Sequence, residues 1–117
     1  MAAPNIVNVS TITGKTAVQV VGTSATAVVT NSAASGKVFK VNALYVSNVD
    51  GTNNAELTLD LYRSSTAYRL ANTIVVPADA TIDVLSKAIY LEEGDALRLT
   101  ANATGDLEAI CSYEEIS

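Results

Sequence analysis

Turn-forming residues recur along this sequence at intervals of about 8–12 residues, a spacing that suits short β-strands and leaves little room for helices. The clearest strand, from Glu56 to Arg63, alternates strictly, with Leu57, Leu59 and Leu61 on one face. This period of two is typical of a strand that buries one side. No segment carries a sustained apolar period of 3.6 residues with capping residues at its ends. The sequence therefore predicts an all-β chain.

The same alternation and turn chemistry predict about eight to ten strands in total. The predicted segments are Ile6–Ser10 (a strand or an extended arm), Lys15–Val21, Thr26–Asn31, Lys37–Val49, Glu56–Arg63, Ala67–Val76, Ile82–Val84, Ala88–Leu91, Ala96–Ala101 and Asp106–Ile116. A chain of 117 residues fits one domain with one core. We therefore predict a single-domain antiparallel β-sandwich, jelly-roll-like, that spans residues 1–117, with residues 1–10 as a candidate N-terminal arm.

Two details of strand pairing follow from local patterns. Lys15–Val21 and Thr26–Asn31 have similar sequences and are separated by a short turn, which predicts a hairpin. In Lys37–Val49, one face carries Phe39 and Tyr45, and the other face turns apolar at Leu44. That switch predicts either a β-bulge or a strand end that is covered on both sides.

An acidic turn follows the strand that ends at Leu91, with the sequence Glu92, Glu93, Gly94 and Asp95. Glycine suits a turn position that requires a positive φ. Paired carboxylates are the catalytic groups of glycosidases, but neighbours on one turn do not face each other across a cleft. We therefore predict a solvated hairpin turn. A more specific hypothesis is that the turn contacts a partner.

The charge is uneven, because seven acids and one arginine lie from Glu92 to the end of a chain whose formal net charge is −5. A chain without a basic cluster lacks the electrostatic surface that nucleic acids and anionic membranes require. The acidic end serves either solubility or docking to a basic partner. The N-terminal residues do not resemble a signal peptide, so we expect synthesis in a cytoplasm.

Few residues suggest chemistry. The chain has no histidine, and its single cysteine, Cys111, has the register of a buried, inert thiol. Gly14-Lys15-Thr16 lacks the preceding glycine of a phosphate-binding loop, and Asp50-Gly51-Thr52-Asn53-Asn54 is more typical of a plain turn than of a calcium loop. We expect no enzymatic activity, no cofactor and no metal.

Surface contact is the remaining role for individual side chains. The five tyrosines mostly share register with core residues, which favours packing at the edge of the core. Tyr62 is the exception, because it points outward beside Arg63. The candidate partner-contact residues are Tyr62, Arg63, Glu92, Glu93, Glu114 and Glu115.

Five segments resemble one known family: Met1–Ser10, Gly36–Asn42, Tyr68–Ala71, Ile89–Leu99 and Ser112–Ser117. They look like the small virion structural proteins of contractile-tailed phages of marine cyanobacteria and related marine phages. The resemblance covers nearly the whole chain but consists of turns and strand patterns. It implies a virion component, a capsid decoration protein or a protein of the tail or neck, and it carries no functional residues over to this sequence.

The leading hypothesis is a non-enzymatic phage structural protein that decorates or cements a particle, made in the host bacterial cytoplasm and located in the virion. Its expected partners are phage capsid or tail proteins and further copies of itself, bound through many weak contacts. The alternative is a carbohydrate- or receptor-binding module of a phage tail or tail fibre, with an aromatic groove that contains Tyr62 or Tyr68. A hydrolase that uses acidic pairs is a third, distant hypothesis.

Overall fold

The computed structural model describes residues 4–117, which fold into strands and turns with no helix among them. The nine strands are β1 (Ile12–Val20), β2 (Thr26–Thr30), β3 (Val38–Asn48), β4 (Ala55–Arg63), β5 (Thr66–Val76), β6 (Thr81–Asp83), β7 (Ile89–Leu91), β8 (Ala96–Ala101) and β9 (Leu107–Ile116). The predicted all-β class is therefore confirmed.

The strands form two antiparallel sheets that pack face to face. Sheet A has the order β1-β9-β3-β6, and β7 pairs with β3 at the same edge as β6; sheet B has the order β2-β8-β4-β5. Because β6 and β7 share one position beside β3, the order is that of an eight-stranded jelly roll. The predicted sandwich and its jelly-roll topology are both found.

The core lies between the sheets and consists mainly of leucine and valine. Its fully buried large apolar residues are Leu44, Leu57, Leu59, Leu91, Leu97, Leu99, Leu107, Val21, Val41, Val46 and Val76. Burial of each such side chain contributes about 1.5–3 kcal/mol to folding relative to its exposure. Small branched side chains fit the thin space between two stacked sheets.

The predicted hairpin between the first two strand segments is wrong. β1 pairs with β9 in sheet A, and β2 pairs with β8 in sheet B. The chain changes sheets at Val21, whose N–H donates to Leu107, and at Gly22, which accepts from Ala101. Alternation determines which face of a strand is buried, whereas it does not choose the neighbouring strand.

Of the two alternatives predicted for the long strand, the structure contains the β-bulge. Val41 pairs with Tyr113 and Ala43 pairs with Ser112, so Asn42 is the extra residue of a β-bulge between β3 and β9. The bulge reverses the facing of the residues that follow. Tyr45, expected on the same face as Val41, lies on the outer face and is exposed.

The N-terminal segment forms a turn in which the N–H of Asn8 donates to the carbonyl of Asn5, and no strand forms between Ile6 and Ser10. The N–H groups of Ser10 and Thr11 then donate to the carbonyl of Ser117, which brings the segment to the end of β9. Residues 1–3 of the predicted arm lie outside the described residues.

Candidate interaction surfaces

The acidic turn is tied to Arg63 and is solvated only in part, because Glu92 is exposed and Asp95 is buried. Arg63 donates from Nε to Oδ1 of Asp95 at 2.7 Å and from Nη2 to Oδ2 at 2.6 Å, and Nη2 also reaches Oε2 of Glu92 at 2.8 Å. Asp95 is 1% exposed, and its Oδ2 accepts the N–H of Glu92 as well. The turn links β7 of sheet A to β8 of sheet B, so the predicted hairpin corner is wrong.

Asp95 and Arg63 stabilise each other's charged forms. Burial alone would raise the pKa of Asp95, but the hydrogen bonds from Arg63 and from the backbone of Glu92 outweigh it, and the net shift is downward. The same hydrogen bond to Asp95 raises the pKa of Arg63. A carboxylate held by a bidentate guanidinium keeps its proton off at neutral pH.

Asn31 organises the same end of the sandwich and was missed by sequence reasoning. Its Nδ2 donates to the carbonyls of Lys37 and Leu91, its N–H donates to Asp95, and its carbonyl accepts from Gly94. A buried amide with all these partners joins the β2–β3 loop to the acidic turn. An asparagine at a strand end looks in sequence like an ordinary turn residue, so no local signal distinguishes it.

The remaining glutamates among the candidates also contact their own chain. Oε2 of Glu93 accepts the N–H of Gly36 at 2.9 Å. Glu115 accepts from Nζ of Lys15 at 2.9 Å and of Lys37 at 3.1 Å. The hydrogen bond from Lys15 is the main reason that the pKa of Glu115 lies below its ordinary value.

Glu114 pairs with Lys40 of β3 and with Gly14 of β1 in the register of sheet A. It is separated from Tyr62 and Arg63, which belong to β4 of sheet B. The structure therefore does not bring the six predicted contact residues together on one surface.

Tyr62 belongs to an ionic network on the outer face of sheet B. The guanidinium of Arg98 lies 3.9 Å from the centroid of the Tyr62 ring. Arg98 donates to both carboxylate oxygens of Asp60, at 2.9 and 3.2 Å, and Arg69 approaches the same carboxylate at 3.5 Å. Asp60, although it points outward as predicted, is 1% exposed because the arginines cover it. We call Arg69, Asp60 and Arg98 the ionic row.

Within residues 4–117, the outer face of sheet A has no such network, and it leaves apolar side chains exposed. Val18 pairs with Ile110, and Ile110 pairs with Tyr45, across β1, β9 and β3. These three side chains are 75%, 48% and 45% exposed, and we call them the apolar row. A shallow groove of about 510 Å³ lies beside them, lined in part by Val20, Ser47 and Glu108.

Tyr62 and Tyr68 do not share a groove. Leu61 pairs with Tyr68 and Tyr62 pairs with Ala67, without a register shift between the two pairs. Because successive residues of a strand point to opposite faces, the two tyrosines lie on opposite faces of sheet B.

Cys111 is fully buried on the inner face of β9, as predicted. Burial raises the pKa of its thiol to about 11. Within residues 4–117, no group of three or more His, Cys, Asp and Glu side chains is placed to share a metal ion. In the same part of the chain, no helix has the length and apolar character needed to cross a bilayer.

No protein-family model and no curated protein matches the sequence. The fold is similar to that of a chain from the disulfide-linked pili that form Bacillus endospore appendages, with a TM-score of 0.52 and 16% identity over 92% of this chain and 88% of that one. A pentameric capsid protein isolated from metagenomic phage sequences also matches, with a TM-score of 0.43 and 17% identity over 96% of this chain and 63% of that one. The first similarity, at this low identity, shows a shared sandwich fold.

Proposed function

We propose that this chain is a non-enzymatic structural subunit of a phage virion that docks on the particle as a decoration or cement protein. The observation that carries the proposal is the apolar row, Val18, Ile110 and Tyr45, which is exposed across three adjacent strands. A contiguous exposed apolar patch on a folded domain marks a surface that meets another molecule.

The acidic residues support a structural role over a catalytic one. Asp95 and Asp60 are each held by arginine, and Glu115 is held by two lysines. Hydrogen bonds from their cationic partners lower the pKa values of Asp95 and Glu115, which makes these two carboxylates poor general acids near neutral pH.

Two further observations agree with a virion subunit. The segments quoted from the sequence resemble virion proteins, and the sandwich fold is shared with a pilus chain, which is also a structural subunit. On a symmetric particle, many weak contacts of one kind add up to tight attachment. The carbohydrate-binding alternative has less support, because the Tyr62 ring is stacked against Arg98 and Tyr68 lies on the other face of sheet B.

The test is co-sedimentation of the purified chain with phage particles that lack it. Ile110→Asp places a charge in the apolar row, whereas Val75→Asp places the same charge on sheet B, where Val75 is 53% exposed against 48% for Ile110. We expect the chain to bind the particles, Ile110→Asp to weaken binding at least about tenfold, and Val75→Asp to leave it unchanged. Failure of the unmodified chain to bind, or equal binding by both variants, contradicts the proposal. Circular dichroism confirms that both variants are folded.

A further inference from the structure

The edge of β1 differs from the other strand edges within residues 4–117. β6 and β7 have three residues each, β2 has five and a register irregularity, and β5 has two register shifts. Short and irregular edges resist pairing with another chain. β1 has nine residues and pairs with β9 without interruption, so its free side presents a long, regular edge.

The register of β1 shows which backbone groups face that edge. Thr11 and Ser117 exchange both N–H···O bonds at 2.9 Å, and the N–H of Val21 donates to Leu107. In an antiparallel pair, hydrogen-bonded and non-hydrogen-bonded positions alternate. The odd-numbered residues of β1 therefore bond to β9, and the even-numbered ones direct their N–H and C=O groups away from it.

The side chains of β1 do not protect this edge. Natural edge strands carry proline or outward charges that block pairing, and β1 has no proline and one charge, Lys15. The ammonium of Lys15 is bonded to Glu115 of the neighbouring strand. The even-numbered positions instead include Ile12, Val18 and Val20, which are exposed and apolar.

We propose that β1 pairs antiparallel with β1 of a second copy about a two-fold axis, with Thr16 opposite Thr16. This is the register in which all nine residues of both strands overlap. It places Ile12 opposite Val20 and Gly14 opposite Val18 on the outer face. Both copies contribute the same surface, as a two-fold interface requires.

The pairing also avoids placing like charges directly opposite each other. Lys15 lies opposite Ala17 of the second copy, so the two ammonium groups do not face each other. The two sheets A then form one continuous sheet, and the apolar rows of both copies lie on the same face of it. The pairing rests on the proposed function for its setting. It identifies the edge of β1 as the surface through which copies of the subunit associate.

The first experiment is disulfide cross-linking of the full chain. Residues opposite each other in a hydrogen-bonded pair have Cα atoms about 5.5 Å apart, within the range that a disulfide spans. We expect Thr16→Cys to form a linked dimer under mild oxidation. Thr13→Cys is the matched control on the same strand, because the register separates the two Thr13 residues by roughly 20 Å. Cys111 is buried and does not compete.

The second experiment is sedimentation equilibrium of the unmodified chain and of Thr16→Lys. The variant places two cations opposite each other at the two-fold axis, and we expect its dissociation constant to rise at least about tenfold. Thr16→Pro gives an independent check, since the N–H of Thr16 faces the edge and has no partner within residues 4–117. We expect it to weaken the dimer to a similar extent.

Three results would overturn the pairing: an unmodified chain that stays monomeric at about 100 μM, cross-linking of Thr13→Cys instead of Thr16→Cys, or unchanged association of Thr16→Lys. Each of these leaves the particle-binding test untouched. Conversely, a chain that dimerises through Thr16 but ignores phage particles contradicts the proposed function and leaves the pairing standing.

Discussion

The outer faces of the two sheets carry opposite kinds of side chains at matching places. Each face is crossed by three side chains from three adjacent strands: Val18, Ile110 and Tyr45 on sheet A, and Arg69, Asp60 and Arg98 on sheet B. The ionic row satisfies its charges within the chain, whereas the apolar row remains exposed. The ionic row of sheet B is held by contacts within the chain, and the apolar row of sheet A is the surface that we propose for association.

The largest difference between the faces is expected on truncation of the central residue of each row. Asp60→Ala leaves two arginines without their carboxylate, and because both guanidinium groups reach solvent we expect a loss of about 2–3 kcal/mol rather than the full cost of a buried charge. Ile110→Ala removes an exposed side chain and should change stability by less than about 0.5 kcal/mol. Urea denaturation measures both.

A loss of similar size in the two variants would contradict the comparison. The slope of the denaturation curve serves as a control, because an altered slope would indicate a change in the surface exposed on unfolding rather than in stability. Asp60→Asn is a useful intermediate, since it keeps the shape and removes the charge.

The second buried acid, Asp95, extends the comparison to the end of the sandwich. Asp95→Asn weakens two charge-assisted hydrogen bonds from Arg63, and with the arginine partly exposed we expect a loss of about 1–2 kcal/mol at pH 7. Glu92→Gln is the control, because its exposed carboxylate should contribute roughly 0–0.5 kcal/mol.

The loss caused by Asp95→Asn depends on pH with a fixed sign. The pKa of Asp95 in the folded chain lies below its ordinary value of 3.8. A lowered pKa contributes stability that is fully present above the unfolded value and is lost as the pH falls through the folded value. The difference in the free energy of unfolding between the unmodified chain and Asp95→Asn should therefore be largest near neutral pH and should disappear as the pH falls below 3.8. A difference that widens in acid would contradict the assignment.

The sequence was sufficient to predict a two-layer β-sandwich, but it did not predict which strands pair within each sheet. Alternation and turn chemistry identified a segment for each of the nine strands, because burial of one face is a local property, and offered a bulge in Lys37–Val49 as one of two explanations of its switch in facing. Which strand lies beside β1 depends on residues near position 111, far along the chain. The similar patterns of Lys15–Val21 and Thr26–Asn31 fit either partner, so the hairpin expected from proximity was wrong.

The surfaces were less predictable for the same reason. Asp60 alternates outward, as expected, yet its burial depends on arginines 9 and 38 residues away. Tyr45 reached the outer face because the bulge at Asn42 shifted it, and its alternation in sequence suggests the opposite face. Both the ionic row and the apolar row depend on pairing between strands that are distant in sequence. Neither row therefore appears as a pattern within one segment.

The smallest expected effects on stability come from the edge members of the two rows. Arg69→Ala breaks a long 3.5 Å contact to Asp60 from an exposed guanidinium, and Val18→Thr alters an exposed side chain, so each should change stability by less than about 0.5 kcal/mol. The two variants should differ in their effect on dimerisation. In the proposed pairing Val18 lies diagonal to Ile12 and Thr16 of the second copy, and cross-strand side-chain contacts contribute about 0.2–1 kcal/mol, so Val18→Thr should weaken dimerisation by up to about fivefold. Arg69→Ala should leave the dissociation constant unchanged in sedimentation equilibrium. If Arg69→Ala weakened association as much as Val18→Thr, the two outer faces would not differ in the way proposed, and the docking surface would have to include sheet B.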